Sequence, residues 1–153
     1  MAVSNDADKA VVVTQRPLAR YFIGAMLILV GLIHLLPLSG ALSGERLTSL
    51  YGLTFSEPNL AILMRHRAAL FGMLGMFLIV AAFRPTVRTV AFIAGLISVV
   101  SFLLIAATVG NYNDYIRRVV TADVAALVCL VAGFAVHLYA QHQDVAKHRR
   151  DLA

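Results

Sequence analysis

The sequence predicts an all-α, polytopic membrane protein folded as an up-down four-helix transmembrane bundle. Three observations carry that reading. Of 153 residues, 60% are apolar and only 14% are charged, whereas soluble domains hold about 45–50% and about 25%. Four stretches are long enough to cross a hydrocarbon layer of roughly 30 Å, which takes about 20 apolar residues in helical form. No segment alternates polar and apolar residues with a period of two, the mark of a membrane β-barrel. Together these exclude a soluble globule and a disordered chain. Inside a bilayer no water serves the backbone, so each span pairs its N–H and C=O groups as a helix.

The first span covers about residues 21–38, and His34 is its one ionisable interruption. Pro37, Ser39 and Gly40 close it. Ser39-Gly40-Ala41 also resembles a small-residue cleavage site, but the apolar run exceeds the roughly 7–15 residues of a signal-peptide core, so the segment reads as a retained span. The following loop is expected to hold a short helix at Glu45–Tyr51. Ser56-Glu57-Pro58-Asn59 combines a cap residue, an acid and an early proline, the pattern of a helix start. The second span follows at about residues 60–83, with Arg65-His66-Arg67 near its beginning. Arg84-Pro85 separates it from the third span, residues 90–109, whose polar members are Ser98, Ser101 and Thr108. After a polar turn at Asn111–Asp114, with Asp114 expected to cap the helix, the fourth span covers about residues 119–140. Residues 1–19 and 141–153 are read as tails flanking a transmembrane domain at 20–140.

Basic residues orient the bundle, because short cytoplasmic loops carry an excess of Lys and Arg. Lys9, Arg16, Arg20, Arg84, Arg88, Lys147, Arg149 and Arg150 fall on one side. The other side has Arg46, Arg117 and Arg118, beside Glu45, Glu57 and Asp114. Both termini are therefore expected in the cytoplasm. Membrane helices pack through small residues that let backbones approach. Gly24 and Gly31 mark such a face on the first span, Ala68, Ala69, Gly72 and Gly75 on the second. Ala91, Ala94, Gly95, Ser98 and Ser101 mark it on the third, and Ala122, Ala125, Ala126, Cys129, Ala132 and Gly133 on the fourth.

An ionisable group inside a bilayer is costly and marks a candidate site. His34, Arg65, His66 and Asp123 are expected at one depth, near the non-cytoplasmic boundary, when each helix rises about 1.5 Å per residue. A rotation of about 100° per residue puts Arg65 on the stripe of Ala68, Ala69, Gly72 and Met76, facing the bundle. Arg67 then points the opposite way, toward headgroups, and Asp123 is the expected counter-charge of Arg65. Three readings stay open. Arg65 and Asp123 form a buried ion pair that fixes helix register, the cluster is a polar pocket for an anionic or carbonyl-bearing lipid or quinone headgroup, or His34 and His66 ligate haem. His137 is expected at the membrane interface. His142 and His148 belong to a basic tail suited to anionic lipid rather than nucleic acid. The lone Cys129 excludes an intramolecular disulfide or a thiolate cluster. No phosphate loop, nucleophile elbow or zinc helix occurs, and no cofactor motif is found.

Gly31-Leu32-Ile33-His34-Leu35-Leu36-Pro37, Leu50-Tyr51-Gly52-Leu53 and Arg65-His66-Arg67-Ala68-Ala69-Leu70-Phe71-Gly72 resemble a family of small bacterial four-span membrane proteins. The resemblance continues through Ser98–Phe102 and Arg118–Asp123 and covers most of the chain. More distantly the chain is similar to the DoxX-like four-helix proteins, some of which accompany quinone-linked oxidoreductases. The resemblance implies a bacterial inner-membrane location and a fold more than an activity. Relatives are sometimes labelled phosphopantetheine adenylyltransferase, a soluble α/β enzyme with a His-x-Gly-His phosphate site, and this chain has neither the sheet nor that motif. The leading expectation is a non-enzymatic accessory or lipid/quinone-binding module. The alternatives are a membrane-embedded isomerase or redox-partner enzyme, with His34 or His66 as acid/base and Glu45 or Glu57 as second carboxylate, and a structural subunit. Expected partners are membrane lipids, a lipid or quinone ligand, and a membrane protein partner or a second copy.

Overall fold

Apolar runs bounded by prolines, caps and polar turns give five α-helices in the computed structural model, which describes the backbone of residues 4–151 and the side chains of residues 17–143 and Ala146. They are α1 (Ser4–Leu35), α2 (Gly44–Tyr51), α3 (Pro58–Phe83), α4 (Arg88–Val109) and α5 (Asp114–Asp151). No strand occurs among the described residues. Four segments are long and apolar enough to cross a membrane: Pro17–Ala41, Pro58–Phe83, Pro85–Val109 and Asp114–Gln143. The chain is a multi-pass helical membrane protein. Its tails continue α1 and α5 as helix, and the side chains of Lys9, Arg16, Lys147, His148, Arg149 and Arg150 lie outside the described residues.

The punctuation has identifiable causes. Pro37 has no N–H to give an α-helical ladder, and beyond Leu35 the chain tightens into a 3-10 segment, Leu36–Ala41. Ser43 caps α2 by accepting the Arg46 N–H. Gly52 ends α2 at φ 65° and lies against the Tyr115 ring, so both its backbone and its missing side chain are required there. Glu57, rather than Ser56, caps α3, accepting from the N–H groups of Asn59 and Leu60, with Pro58 in the first helical turn. Asn113, not Asp114, caps α5 through its Oδ1, which accepts the Ile116 N–H at 2.9 Å. Asp114 instead pairs with Arg117 at 3.1 Å on the surface.

The bundle is a ring in which α1 touches α3 and α5, and α4 touches α3 and α5. Helices α3 and α5 are therefore diagonal. At the α1–α3 crossing a Cβ on Gly75 would stand 2.7 Å from the Gly31 carbonyl oxygen, so the two backbones meet through glycine alone. Leu27, Val30, Leu78, Phe92, Val99 and Leu130 fill the interior. Of the small-residue face expected on α4, Ala91 and Gly95 are buried while Ser101 is exposed. Helix α2 lies across one end of the bundle, with Leu47 and Tyr51 buried beneath it and the Tyr51 carbonyl held by Asn113 at 3.0 Å.

One cationic residue departs from expectation at the opposite end. Arg88 is not a loop residue: it opens α4, is only 5% exposed, and donates to the carbonyls of Ala81 and Ala82 at 3.3 and 2.6 Å. It thereby adds donors to carbonyls of the last turn of α3, of which that of Ala81 also accepts the Arg84 N–H at 3.3 Å. His137, at the same end, is buried inside the bundle, hydrogen-bonded to Thr89 at 3.0 Å, stacked with Phe134 and tilted against Phe92.

Candidate functional site

Beneath α2 lies a cavity of about 310 Å³, walled by α1, the 3-10 segment, α2, α3 and α5. Its polar lining includes His34, Tyr51, Arg67, Tyr115, Arg118 and Asp123, with Phe71 and Ile33 among the apolar walls. At about 1.5 Å of rise per residue, Arg67 is about 14 Å into α3 and Asp123 about 14 Å into α5. The carboxylate therefore comes from one helix and the guanidinium from the helix diagonal to it.

His34 is 3% exposed. Its Nδ1 lies 3.0 Å from the Val30 carbonyl, an acceptor only, so in the neutral ring Nδ1 carries the proton and donates. Nε2 is left as an acceptor on the cavity side, and the ring leans on Phe71 with centroids 5.7 Å apart. Arg67 places its guanidinium carbon 4.9 Å from the Phe71 ring centroid, 5.6 Å from Phe102 and 5.8 Å from Tyr51. Such contacts contribute about 0.5–2 kcal/mol each, more when water is excluded. Burial raises the Tyr51 phenol above its ordinary pKa of 10.0, Asp123 adds to the effect and Arg67 opposes it, so the phenol is neutral at physiological pH. Asp123 is 8% exposed. Among the described residues neither it nor Arg67 makes a hydrogen bond or an ion pair within 4.0 Å. Both charges instead border open space, and Arg118 at the rim sits 5.8 Å over Tyr115.

Of the residues singled out in the sequence, His34 and Asp123 share this cavity, while Arg65 and His66 do not. Arg65 is exposed and donates to the carbonyls of Ala41 at 2.9 Å and Leu42 at 3.4 Å. Its expected rotation toward Gly72 is correct, but that stripe faces α1 and the 3-10 segment, where Leu38 covers Gly72. The diagonal partner α5 is out of its reach, so no Arg65–Asp123 pair forms. Arg67, about 200° further round the helix, faces the bundle interior instead of the headgroups. His66 is exposed, and His34 and His66 do not converge. Among the described residues no group of three or more His, Cys, Asp or Glu side chains is placed to hold a metal ion.

Arg67, Arg118, Tyr51 and Tyr115 are the polar lining residues that sequence reasoning missed. Phe71, one turn after Arg67, was the available signal for an aromatic contact at (i, i+4). Fold and cavity together define a multi-pass helical membrane protein with a charged, aromatic-walled chamber inside its bundle. No family model, curated protein or solved structure matches the chain.

Proposed function

We propose that the protein is a non-enzymatic membrane component that binds a lipophilic ligand, a lipid or a quinone, by its anionic or carbonyl-bearing headgroup in the chamber beneath α2. One observation carries the reading: Arg67 and Asp123 face the same cavity without closing on each other. A register-fixing ion pair needs direct contact to offset desolvation. A binding site needs its polar groups open to a guest. The lining offers a cation for a negative or carbonyl oxygen, and two acceptors, Asp123 and His34 Nε2, for a hydroxyl of the guest. A volume of about 310 Å³ suits a headgroup while the tail stays in the bilayer.

The acid/base alternative requires a second carboxylate. Glu57 is engaged in capping α3, and neither it nor Glu45 lines the chamber, which favours binding. We place the chain in the bacterial inner membrane with cytoplasmic termini, so the α2 end and its chamber face outward. The cationic side defined by Arg20, Arg84 and Arg88 supports that orientation, and the resemblance of the Gly31–Pro37 and Arg65–Gly72 motifs to small bacterial four-span membrane proteins is the ground for the location.

The test is thermal unfolding of the purified full chain in detergent with dodecyl phosphate, lauric acid, decylubiquinone or an uncharged alkyl glycoside added. Wild type is expected to be stabilised by at least one of the first three and not by the glycoside. Arg67→Gln should weaken that response about tenfold or more in ligand concentration, because a charge-assisted hydrogen bond contributes about 1.5–3 kcal/mol. No stabilisation by any of the three, or an unchanged response in Arg67→Gln, rejects the proposal.

A further inference from the structure

At the other end of the bundle, on the side of the chain termini, a groove of about 820 Å³ runs between α1 and the α3–α4 turn. Its lining contains two arginines, Arg20 and Arg88, and no acid. Arg20 immediately precedes the apolar run that begins at Tyr21, and Arg88 opens α4, so both stand at the terminal end of an apolar helix, where basic side chains reach the lipid headgroups. Arg88 is anchored: its Nε and one terminal nitrogen serve the carbonyls of Ala81 and Ala82, leaving the other terminal nitrogen without a partner. Arg20 makes no hydrogen bond or ion pair among the described residues. Among the described residues, two cations share one groove with no anion to balance them.

Below the arginines the floor is made of Gly24, Ala25 and Ala82. A Cβ on Gly24 would meet only the Ala82 carbonyl, at 3.6 Å, so the floor is a shallow trough with room above it. Tyr21 and Phe83, both strongly exposed, stand at its margins. An amphipathic ring such as tyrosine settles at the level of lipid headgroups. The combination is a basic rim at phosphate depth above a smooth apolar channel that leads toward the bilayer centre.

We infer that this groove holds an anionic phospholipid of the surrounding leaflet, its phosphate between Arg20 and Arg88 and one acyl chain along Gly24, Ala25 and Ala82. Basic pockets between membrane helices recognise anionic lipid headgroups through this charge complementarity. A zwitterionic lipid brings its own cation and gains less from two arginines. The groove is independent of the chamber beneath α2.

The experiment titrates the purified full chain in detergent with dioleoyl-phosphatidylglycerol or dioleoyl-phosphatidylcholine and counts bound lipids by native mass spectrometry. Phosphatidylglycerol is expected to bind more tightly, and Arg20→Gln should weaken it about fivefold, the factor equivalent to about 1 kcal/mol per basic residue at a membrane surface. Among the described residues Arg20 supports no other, so this variant tests the site without the folding risk of Arg88→Gln. The loss caused by Arg20→Gln should be the same in wild type and in an Arg67→Gln background, which separates this groove from the chamber. Lys147, Arg149 and Arg150 are common to all variants, so lipid that they hold cancels in the comparison. Equal binding of the two lipids, or a preference that Arg20→Gln does not weaken, overturns the inference. Displacement of phosphatidylglycerol by excess inorganic phosphate does so too, since it would mark a site for a free anion.

Discussion

A guanidinium inside a bilayer needs something to receive its charge, and the two arginines that flank His66 meet that need in different ways. Arg65 spends its donors on the carbonyls of Ala41 and Leu42, which the 3-10 segment leaves without helical partners. Arg67 rests on three aromatic faces and keeps its hydrogen-bonding capacity for the chamber. The two should therefore separate stability from binding. Arg65→Ala is expected to lower stability by about 1 kcal/mol, the usual net worth of such hydrogen bonds, without altering ligand response. Arg67→Gln is expected to remove the ligand response, with a stability cost of its own from the three aromatic contacts it loses. Thermal unfolding with and without dodecyl phosphate reads both quantities, and a pair of variants with the same profile contradicts the assignment. The depth of His34 and Asp123 was legible in the sequence, because length along a helix fixes depth. The choice between Arg65 and Arg67 was not. Rotation gives the angle between two side chains on one helix, but which neighbour lies on which side depends on the order of helices around the bundle.

At the scale of the elements, the crossing of α1 and α3 is set by Gly31 and Gly75. Gly75→Ala forces a Cβ to 2.7 Å from a backbone carbonyl that cannot rotate away. It is expected to cost about 1–3 kcal/mol, as overpacking does. Gly24→Ala, whose nearest neighbour lies at 3.6 Å, should be tolerated. Melting temperatures in one detergent compare them, and equal effects would show that the crossing is not glycine-dependent. The start of α3 adds a pH dependence. Hydrogen bonds from the backbone of Asn59 and then Leu60 hold the Glu57 carboxyl below its ordinary value of 4.5. A depressed acid contributes stability above its unfolded pKa and loses it as pH falls through the folded one. The cap should therefore be intact at neutral pH and weaken only below about 4.5, and Glu57→Gln should remove that acid-side slope in unfolding experiments. Helix existence was readable from apolar length, and α2 from its short helical pattern before Gly52. The 3-10 continuation to Ala41 was not: Pro37 announces a break in the α-helix but does not say that the chain keeps turning against α3.

For the molecule as a whole, the two ends differ in kind. The α2 end carries a chamber with both signs of charge, and the terminal end carries a groove whose charges, among the described residues, are all cationic. The proposed orientation makes a direct prediction. A cysteine placed at Thr54, beyond α2, should react with a membrane-impermeant maleimide added to intact cells, and one placed at Thr86 should react only after the membrane is opened. Cys129, within α5, provides the background to subtract. The reverse pattern would invert the bundle. The central claim concerns the chamber, and native mass spectrometry of the purified full chain with its co-purifying lipids retained tests it most directly. Wild type and Arg65→Gln should carry a bound amphiphile that Arg67→Gln and Asp123→Asn lose. An amphiphile retained equally by all four, or absent from wild type, would contradict it.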